Sequence, residues 1–209
     1  MLNSTSIING ECLGVVLAGG LSSRMGQDKA QLLRNKNANF SMLDFSKKLL
    51  SDSGLSNIVV SGDNYDVPDL IKKSGPVGGI LSVLAQYPHA KSLLILPVDL
   101  PFITAKALEN LRLKGELTHK ATYFEGHNIP LYLPNNAYVE LFLTQAFTKT
   151  TRNKDDSTQL GDKTKKHGPS IKALLNQIPS QAIKSDNIAT LFNTNTPEQW
   201  QQATQKFSL

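Results

Sequence analysis

Short uninterrupted apolar runs alternate along this chain with longer segments of mixed polarity. The runs at 13–17, 58–60 and 93–96 contain only apolar residues and Gly14. Such runs are typical of strands that are buried on both faces of a sheet. Between and after them, the spacing of apolar positions predicts helices at about 43–51, 80–86 and 104–113, with Thr104 as the N-cap of the last.

This alternation predicts right-handed βαβ crossovers and a mostly parallel sheet. Two more strands are expected at 121–124 and 130–133, where Pro130 and Pro134 indicate an edge strand or a strand end. Further helices are expected at 135–147, at 171–175 and after Thr196, because Thr196, Pro197 and Gln199 suit the N-cap, N1 and N3 positions. The fold class predicted is a three-layer α/β sandwich with a Rossmann-like central sheet.

One segment differs from the rest of the chain in composition. Residues 148–166 carry six basic and three acidic side chains and almost no apolar ones. We expect a mobile surface loop over 148–168. The sequence contains no internal repeat and no evident linker, so we expect a single domain over residues 1–209.

Composition and charge exclude some classes of protein and favour others. The net charge of +5 suits anionic small molecules, and it is too evenly spread to favour nucleic acid. One cysteine, Cys12, excludes an internal disulfide framework and a cysteine-rich metal cluster. The first residues lack the layout of a signal peptide, and no apolar run is long enough to span a membrane, so a cytoplasmic location is expected.

The strongest chemical signal is a glycine-rich loop that directly follows the first predicted strand. Gly19 and Gly20 allow backbone N–H groups to approach an anion closely, and Arg24 and Lys29 supply positive charge for a polyphosphate. The loop is not a Walker A motif, because Gly26 is not followed by Lys and Ser or Thr, and it lacks the spacing of a dinucleotide-binding fingerprint. Taken alone, Lys29 could also be a solvated charge that pairs with Asp28.

The stretch Leu-Ala-Gly-Gly-Leu-Ser-Ser-Arg-Met-Gly-Gln-Asp-Lys at 17–29 resembles the signature of sugar-nucleotide-type nucleotidyltransferases. Within them, the chain is most similar to the molybdenum cofactor guanylyltransferases (MobA type). Four later segments match that family in order: Val-Pro-Asp and Gly-Pro-Val-Gly-Gly at 67–79, Pro-Val-Asp-Leu-Pro-Phe at 97–102, Asn-Ile-Pro-Leu at 128–131, and Asn-Thr-Asn-Thr-Pro-Glu at 193–198. The resemblance covers nearly the whole chain and implies the fold of nucleotide-diphospho-sugar transferases.

Asp99 is the candidate metal ligand. It follows a buried strand, at the edge where open α/β sheets bind ligands, and a carboxylate there suits Mg²⁺. The resemblance places the metal-binding aspartate of the family at the same position. The alternative is a turn or cap residue before Pro101.

The resemblance also implies roles for other residues. Arg24, Lys29 and Asp99 would be catalytic, with the two cations on the β- and γ-phosphates. Asn193 and Asn195 would contact substrate or order the loop beside the metal, although helix entry alone also explains them. The nucleotide-binding set comprises Leu17, Ala18, Gly19, Gly20, Ser22, Lys29, Ser61, Asp69, Gly75, Pro76, Gly79 and Asp99.

Two departures from the family pattern affect this set. Ser61 stands where the family often has Asn, and a serine side chain has a shorter reach. Residues inserted between His127 and Pro130 leave His127 without an assigned role. Asp69 is the expected guanine contact, with an ordinary turn as its alternative.

The reaction implied is transfer of GMP from Mg·GTP to molybdenum-bearing molybdopterin, which yields the guanine dinucleotide and pyrophosphate. The basic segment at 148–168 would either help to hold the anionic pterin or be solvated. The partners expected are GTP and molybdopterin, with transient contacts to other proteins of cofactor biosynthesis or to acceptor proteins, and without nucleic acid or membrane. The alternatives are a nucleotidyltransferase that uses CTP or a sugar 1-phosphate, and a non-catalytic nucleotide-binding protein.

Overall fold

The computed structural model describes residues 11–19, 28–35, 39–152 and 168–207, with the backbone alone at residue 35 and over 149–152. Strands and helices alternate in chain order, as the apolar pattern predicts. The elements are β1 (Cys12–Leu17), β2 (Leu33–Asn35), β3 (Phe40–Ser41), α1 (Met42–Asp52), β4 (Ile58–Ser61), α2 (Gly75–Gln86), β5 (Ser92–Pro97), α3 (Ala105–Thr118), β6 (Ala121–Phe124), β7 (Leu131–Pro134), α4 (Ala137–Arg152), α5 (Ile171–Leu175), β8 (Ser180–Ile183) and α6 (Pro197–Phe207). One-turn 3₁₀ helices lie at Lys29–Gln31 and Ile188–Leu191.

Six of these strands form the central sheet in the order β4-β1-β5-β7-β6-β8. β1 pairs in parallel with both β4 and β5, and β6 pairs in parallel with β8. Only β7 runs antiparallel to its two neighbours. The carboxyl ends of β4, β1 and β5 therefore lie side by side at one edge of the sheet.

Alternate residues of the buried strands serve two separate cores, one on each face. Leu13 and Val15 pack with α2, α4 and α5 on one face, whereas Val16 packs with α1 and α3 on the other. β5 is buried along its whole length, because it lies in the middle of both cores. This arrangement confirms the three-layer sandwich with a mostly parallel sheet.

Helix α2 begins earlier than the sequence predicts, at Gly75 instead of residue 80. Glycines are poor helix formers, so local propensity alone disfavours a helix over the run Gly-Pro-Val-Gly-Gly at 75–79. Packing overrides this preference. A Cβ on Gly79 would lie 2.8 Å from Ser61 Oγ, and a Cβ on Gly78 would overlap Ser74 Oγ. Only glycine lets the first turns of α2 lie this close to their neighbours.

Two other helices extend further than predicted. α3 continues through Gly115 to Thr118, because Gly115 packs directly on the ring of Tyr132 and a Cβ there would overlap it. α4 continues to Arg152, so residues 148–152 of the expected loop are helical. Thr148 Oγ1 donates to the Thr144 carbonyl within this extension. The rest of the expected loop, up to residue 167, lies outside the described residues.

The edge position considered for the strand near Pro130 is wrong. β7 lies inside the sheet between β5 and β6, and Pro134 stands at its end, which is the other place that proline tolerates. The true edge strand on that side is β8, which the sequence does not reveal because its residues are partly polar and only half-buried. None of the helices in the described part of the chain has the length and apolar content that a membrane crossing requires.

Candidate active site

The expected site residues gather where the parallel strands β1, β4 and β5 end. Gly19 follows β1, Ser61 closes β4, and Asp99 comes two residues after β5. The N–H groups of Ala18 and Gly19 both donate to the Ser61 carbonyl at 3.0 Å. The loops after β1 and β4 are therefore joined by backbone hydrogen bonds beside the loop that carries Asp99.

Lys29 is held among residues that are far apart in the sequence. Its Nζ donates to Asp99 Oδ2 at 3.1 Å and to Asn195 Oδ1 at 3.1 Å. The side chains of Lys29 and Asp99 are only 16% and 17% exposed. The pairing of Lys29 with Asp28, considered as an alternative, does not occur in the structure. Asp28 instead caps the 3₁₀ helix by accepting from the Ala30 N–H at 3.0 Å.

Two oxygens of this cluster are buried without a hydrogen-bond partner among the described residues: Asp99 Oδ1 and Asn193 Oδ1. Asn193 directly precedes Thr194, whose N–H donates to the Asp99 carbonyl at 3.0 Å. Buried acceptors without donors are costly unless something binds them. Carboxylate and amide oxygens are ligands that a hard divalent cation prefers. In the described part of the chain, no group of three His, Cys, Asp or Glu side chains could enclose a metal, so other oxygens would have to complete its shell.

A tyrosine in the loop after β4 bonds to the neighbours of Lys29 in the sequence, Asp28 and Gln31. Tyr65 OH donates to Asp28 Oδ2 at 3.0 Å, and Gln31 Nε2 donates to the Tyr65 oxygen at 3.4 Å. Burial raises the pKa of Tyr65 above its usual value. Tyr65 is not recognisable as a site residue from the sequence, since a lone tyrosine in a polar loop carries no distinctive pattern.

Three expected nucleotide contacts have a different position in the structure. The Gly19 N–H is bonded to the Ser61 carbonyl at 3.0 Å. The Ser61 side chain is 2% exposed and packs against Gly79. Gly79 is buried inside α2, in its second turn. Close packing between α2 and the ends of β1 and β4 accounts for these three residues.

Asp69 lies beside the region where α2 packs on the ends of β1 and β4. A Cβ on Gly19 would be 3.8 Å from Asp69 Oδ2, so the carboxylate is next to the start of the glycine loop. Its pKa is raised, first by burial and then by the negative charge of Asp63, while Lys72 lowers it. A half-buried carboxylate beside backbone without side chains can accept hydrogen bonds from a flat polar ring.

A cleft of about 400 Å³ opens between α2, the β6–β7 loop and α5. Gly75 and Pro76 line one wall, and Asn193 also belongs to the lining. Gly75 has φ +70°, a conformation that favours glycine, and nothing would contact a Cβ there. The other walls contain no residue predicted from the sequence and are formed by Ser74, Gly126, His127, Asn128, Ile129, Gly168, Pro169, Ser170, Ile171 and Lys172.

Of the remaining predicted residues, Leu17 is the last residue of β1 and is 9% exposed. Gly20, Ser22 and Arg24 lie outside the described residues, so their predicted roles stay predictions. The structure therefore brings Lys29, Asp99, Asn193 and Asn195 together, and it places Asp69 on the neighbouring loop.

Comparison with known proteins identifies the family. Residues 14–146 match the model of the MobA-like NTP transferase domain. The molybdenum cofactor guanylyltransferase of Xanthomonas euvesicatoria is 32% identical over 192 residues, which cover 90% of this chain and 91% of that protein.

Solved structures share the fold at low sequence identity. The molybdopterin-guanine dinucleotide biosynthesis protein A of Archaeoglobus fulgidus superposes with a TM-score of 0.60 at 18% identity, covering 94% of this chain and 98% of that one. A Mycobacterium tuberculosis protein solved in complex with manganese gives a TM-score of 0.54 at 14% identity, covering 93% and 98%. The match to the domain model and the identity to the Xanthomonas enzyme show that this chain belongs to the MobA-like family of nucleotidyltransferases.

Proposed function

We propose that this protein transfers GMP from GTP to the terminal phosphate of molybdenum-bearing molybdopterin and releases pyrophosphate. Family membership and the name of the Xanthomonas relative support the reaction. The observation that carries it is the convergence of Lys29, Asp99 and Asn195 at the carboxyl edge of the sheet. A cation, a carboxylate and an amide oxygen at that edge suit a nucleoside triphosphate.

In this proposal, Lys29 binds the β- and γ-phosphates of GTP and stabilises the charge that develops on the leaving pyrophosphate. Its ammonium is already oriented by two acceptors, so little reorganisation is needed when the phosphates arrive. Arg24, predicted from sequence, would share this task.

The oxygen donors fit a divalent cation, for which we propose Mg²⁺. Asp99 Oδ1 and Asn193 Oδ1 would hold it, and phosphate oxygens and water would supply its other ligands. When bound, the ion would neutralise phosphate charge and polarise the phosphoryl oxygens.

The chain does not need a strong base for this reaction, because the attacking atom is an oxygen of an ionised phosphate. Its residues instead would hold the two substrates in line, which is the main source of rate enhancement in phosphoryl-type transfers.

Asp69 would accept hydrogen bonds from N1–H and the 2-amino group of guanine. Adenine lacks both donors in that arrangement, so the same carboxylate would disfavour ATP.

The cleft between α2 and α5 is the proposed acceptor site. Asn193 is one of its lining residues, so a phosphate bound there would lie near a proposed metal ligand of the GTP site. Lys172 at its wall supplies a cation for an anionic substrate, and His127 and Asn128 supply polar groups for a heterocyclic ring. The volume of about 400 Å³ is adequate for a small-molecule ligand.

The test is a comparison of nucleotides with molybdenum-loaded molybdopterin as acceptor. We expect pyrophosphate release and dinucleotide formation with GTP and Mg²⁺, and little with CTP or ATP. Equal or better use of CTP, or of a sugar 1-phosphate as acceptor, would favour the alternative transferases. Tight GTP binding without pyrophosphate release would favour a binding protein.

A further inference from the structure

The loop that carries Asn193 and Asn195 is pinned to the turn after β5. Thr194 is 1% exposed, and both its N–H and its hydroxyl donate to the Asp99 carbonyl, at 3.0 Å and 3.2 Å. On either side of this contact, the rings of Phe102 and Phe192 lie 6.1 Å apart. This loop is therefore fixed at its first residues by the strand end that bears Asp99.

Its other end is fixed by a glutamine of α6. Gln199 Oε1 accepts from the Thr196 N–H at 3.1 Å, and the Thr196 hydroxyl accepts from the Gln199 N–H at 3.3 Å. These two bonds form a capping box, which is a common way to begin a helix. Gln199 Oε1 also accepts from the Asn195 N–H at 2.7 Å, and helix capping does not require this third bond.

The third bond connects Gln199 to the cluster at the strand ends. It fixes the backbone of Asn195, and the Asn195 side chain accepts from Lys29 Nζ at 3.1 Å. Lysine has a long flexible stem, so the position of its ammonium depends on the acceptors around it. Without a fixed Asn195, only Asp99 would orient Lys29 among the described residues.

We propose that Gln199 is a positioning residue that orders Lys29 for phosphate binding through the backbone of Asn195. This inference rests on the proposed function, which makes Lys29 a phosphate ligand. Gln199 itself does not touch the substrate. Its contribution is to keep the ammonium of Lys29 in place before GTP binds, so that less conformational freedom is lost on binding.

The experiment compares Gln199→Ala with two controls. Thr196→Ala removes one bond of the capping box but leaves the acceptor for the Asn195 N–H, and Gln201→Ala removes an exposed glutamine of the same helix. Gln199→Glu keeps the acceptor oxygens. We expect both Gln199→Ala and Thr196→Ala to lower the melting temperature, whereas only Gln199→Ala weakens GTP and inorganic pyrophosphate binding, by about tenfold. Gln199→Glu should restore most of the binding.

A second measurement tests the order of Lys29 directly. Brief acetylation followed by mass spectrometry reports how reactive the Lys29 ammonium is. We expect several-fold faster labelling of Lys29 in Gln199→Ala than in Thr196→Ala, and no further increase when Gln199→Ala is added to Asn195→Ala.

The outcomes separate this inference from the proposed function. If Gln199→Ala labels and binds pyrophosphate as Thr196→Ala does, or if its effect persists in full without Asn195, the positioning role is wrong. If the wild-type protein does not transfer GMP, the proposed function fails. The labelling result still decides whether Gln199 orders Lys29.

Discussion

At the scale of single residues, the contact between Lys29 and Asp99 holds an ammonium group at the edge of the sheet where we propose that the phosphates of GTP bind. Both side chains are mostly buried, so each needs the charge of the other when no ligand is bound. Asp99 nevertheless keeps Oδ1 without a partner among the described residues. Asp99 Oδ2 is thus paired with Lys29, whereas Oδ1 can still bind a ligand.

Asp99→Asn tests this arrangement. The amide can still accept from Lys29, so we expect the fold to persist, but Lys29 loses its partner charge and the melting temperature should fall. It binds a divalent cation poorly, and we expect GMP transfer to fall by about 10²–10³-fold. The measurement is steady-state pyrophosphate release with circular dichroism as a check of folding. Asp52→Asn, which alters an exposed ion pair on α1, should leave the rate unchanged. Full activity in Asp99→Asn would remove Asp99 from the proposed metal site.

The ionised form of Asp69 lowers the stability of the folded protein, so this effect depends on pH. Its folded-state pKa is raised by burial, so its ionisation destabilises the folded protein as pH rises above the ordinary value of 3.8. Below that value, the group is protonated in both states and the cost is absent. We expect Asp69→Asn to melt at a higher temperature than wild type at pH 7, with the difference shrinking towards pH 4. The same variant should discriminate less between GTP and ATP. A lower melting temperature at pH 7 would contradict this account of the carboxylate.

At the scale of elements, the site depends on how closely α2 packs on the ends of β1 and β4. Gly79 lies against Ser61 Oγ and Leu17, and the Ser61 carbonyl accepts two N–H groups of the loop after β1. The serine therefore joins a helix, a strand and a loop, although the sequence analysis expected it to contact the nucleotide.

Gly79→Ala should show that contact with Ser61 outweighs helix propensity. Alanine favours a helix over glycine by about 1 kcal/mol, but the added methyl would lie 2.8 Å from Ser61 Oγ. We expect a net destabilisation of about 1–2 kcal/mol in urea unfolding. In a Ser61→Ala background, the same change should be neutral or stabilising. A cost of the same size in both backgrounds would mean that another contact is responsible.

Much of the element pattern could be predicted from the sequence, and the failures have physical reasons. The strands β1, β4 and β5 are recognisable because burial on both faces requires continuous apolar runs. The short pair β2 and β3 and the edge strand β8 are only half-buried, so they carry no such signal. The start of α2 was missed because local propensity opposes glycine, while tertiary packing requires it.

At the scale of the whole molecule, the fold brings together residues that are distant in the chain. Asn195 bonds to Lys29 across 166 positions, and Lys29 bonds to Asp99 across 70. The sequence motifs predicted Lys29, Asp99 and the two asparagines as members of one site, but their mutual contacts could not be predicted. Those contacts depend on α6, whose Phe207 ring lies 5.5 Å from that of Phe102. The cleft also depends on the approach of α5 to α2, which no local pattern reveals.

The most direct test of the central claim follows the phosphorus atoms of GTP. The wild-type protein would be incubated with Mg²⁺, molybdenum-loaded molybdopterin, and GTP labelled at either the α- or the γ-phosphate. The account predicts that the α label appears in the dinucleotide product and that the γ label appears only in pyrophosphate. Transfer of the γ label to the acceptor, or its release as orthophosphate, would contradict nucleotidyl transfer as the function of this protein.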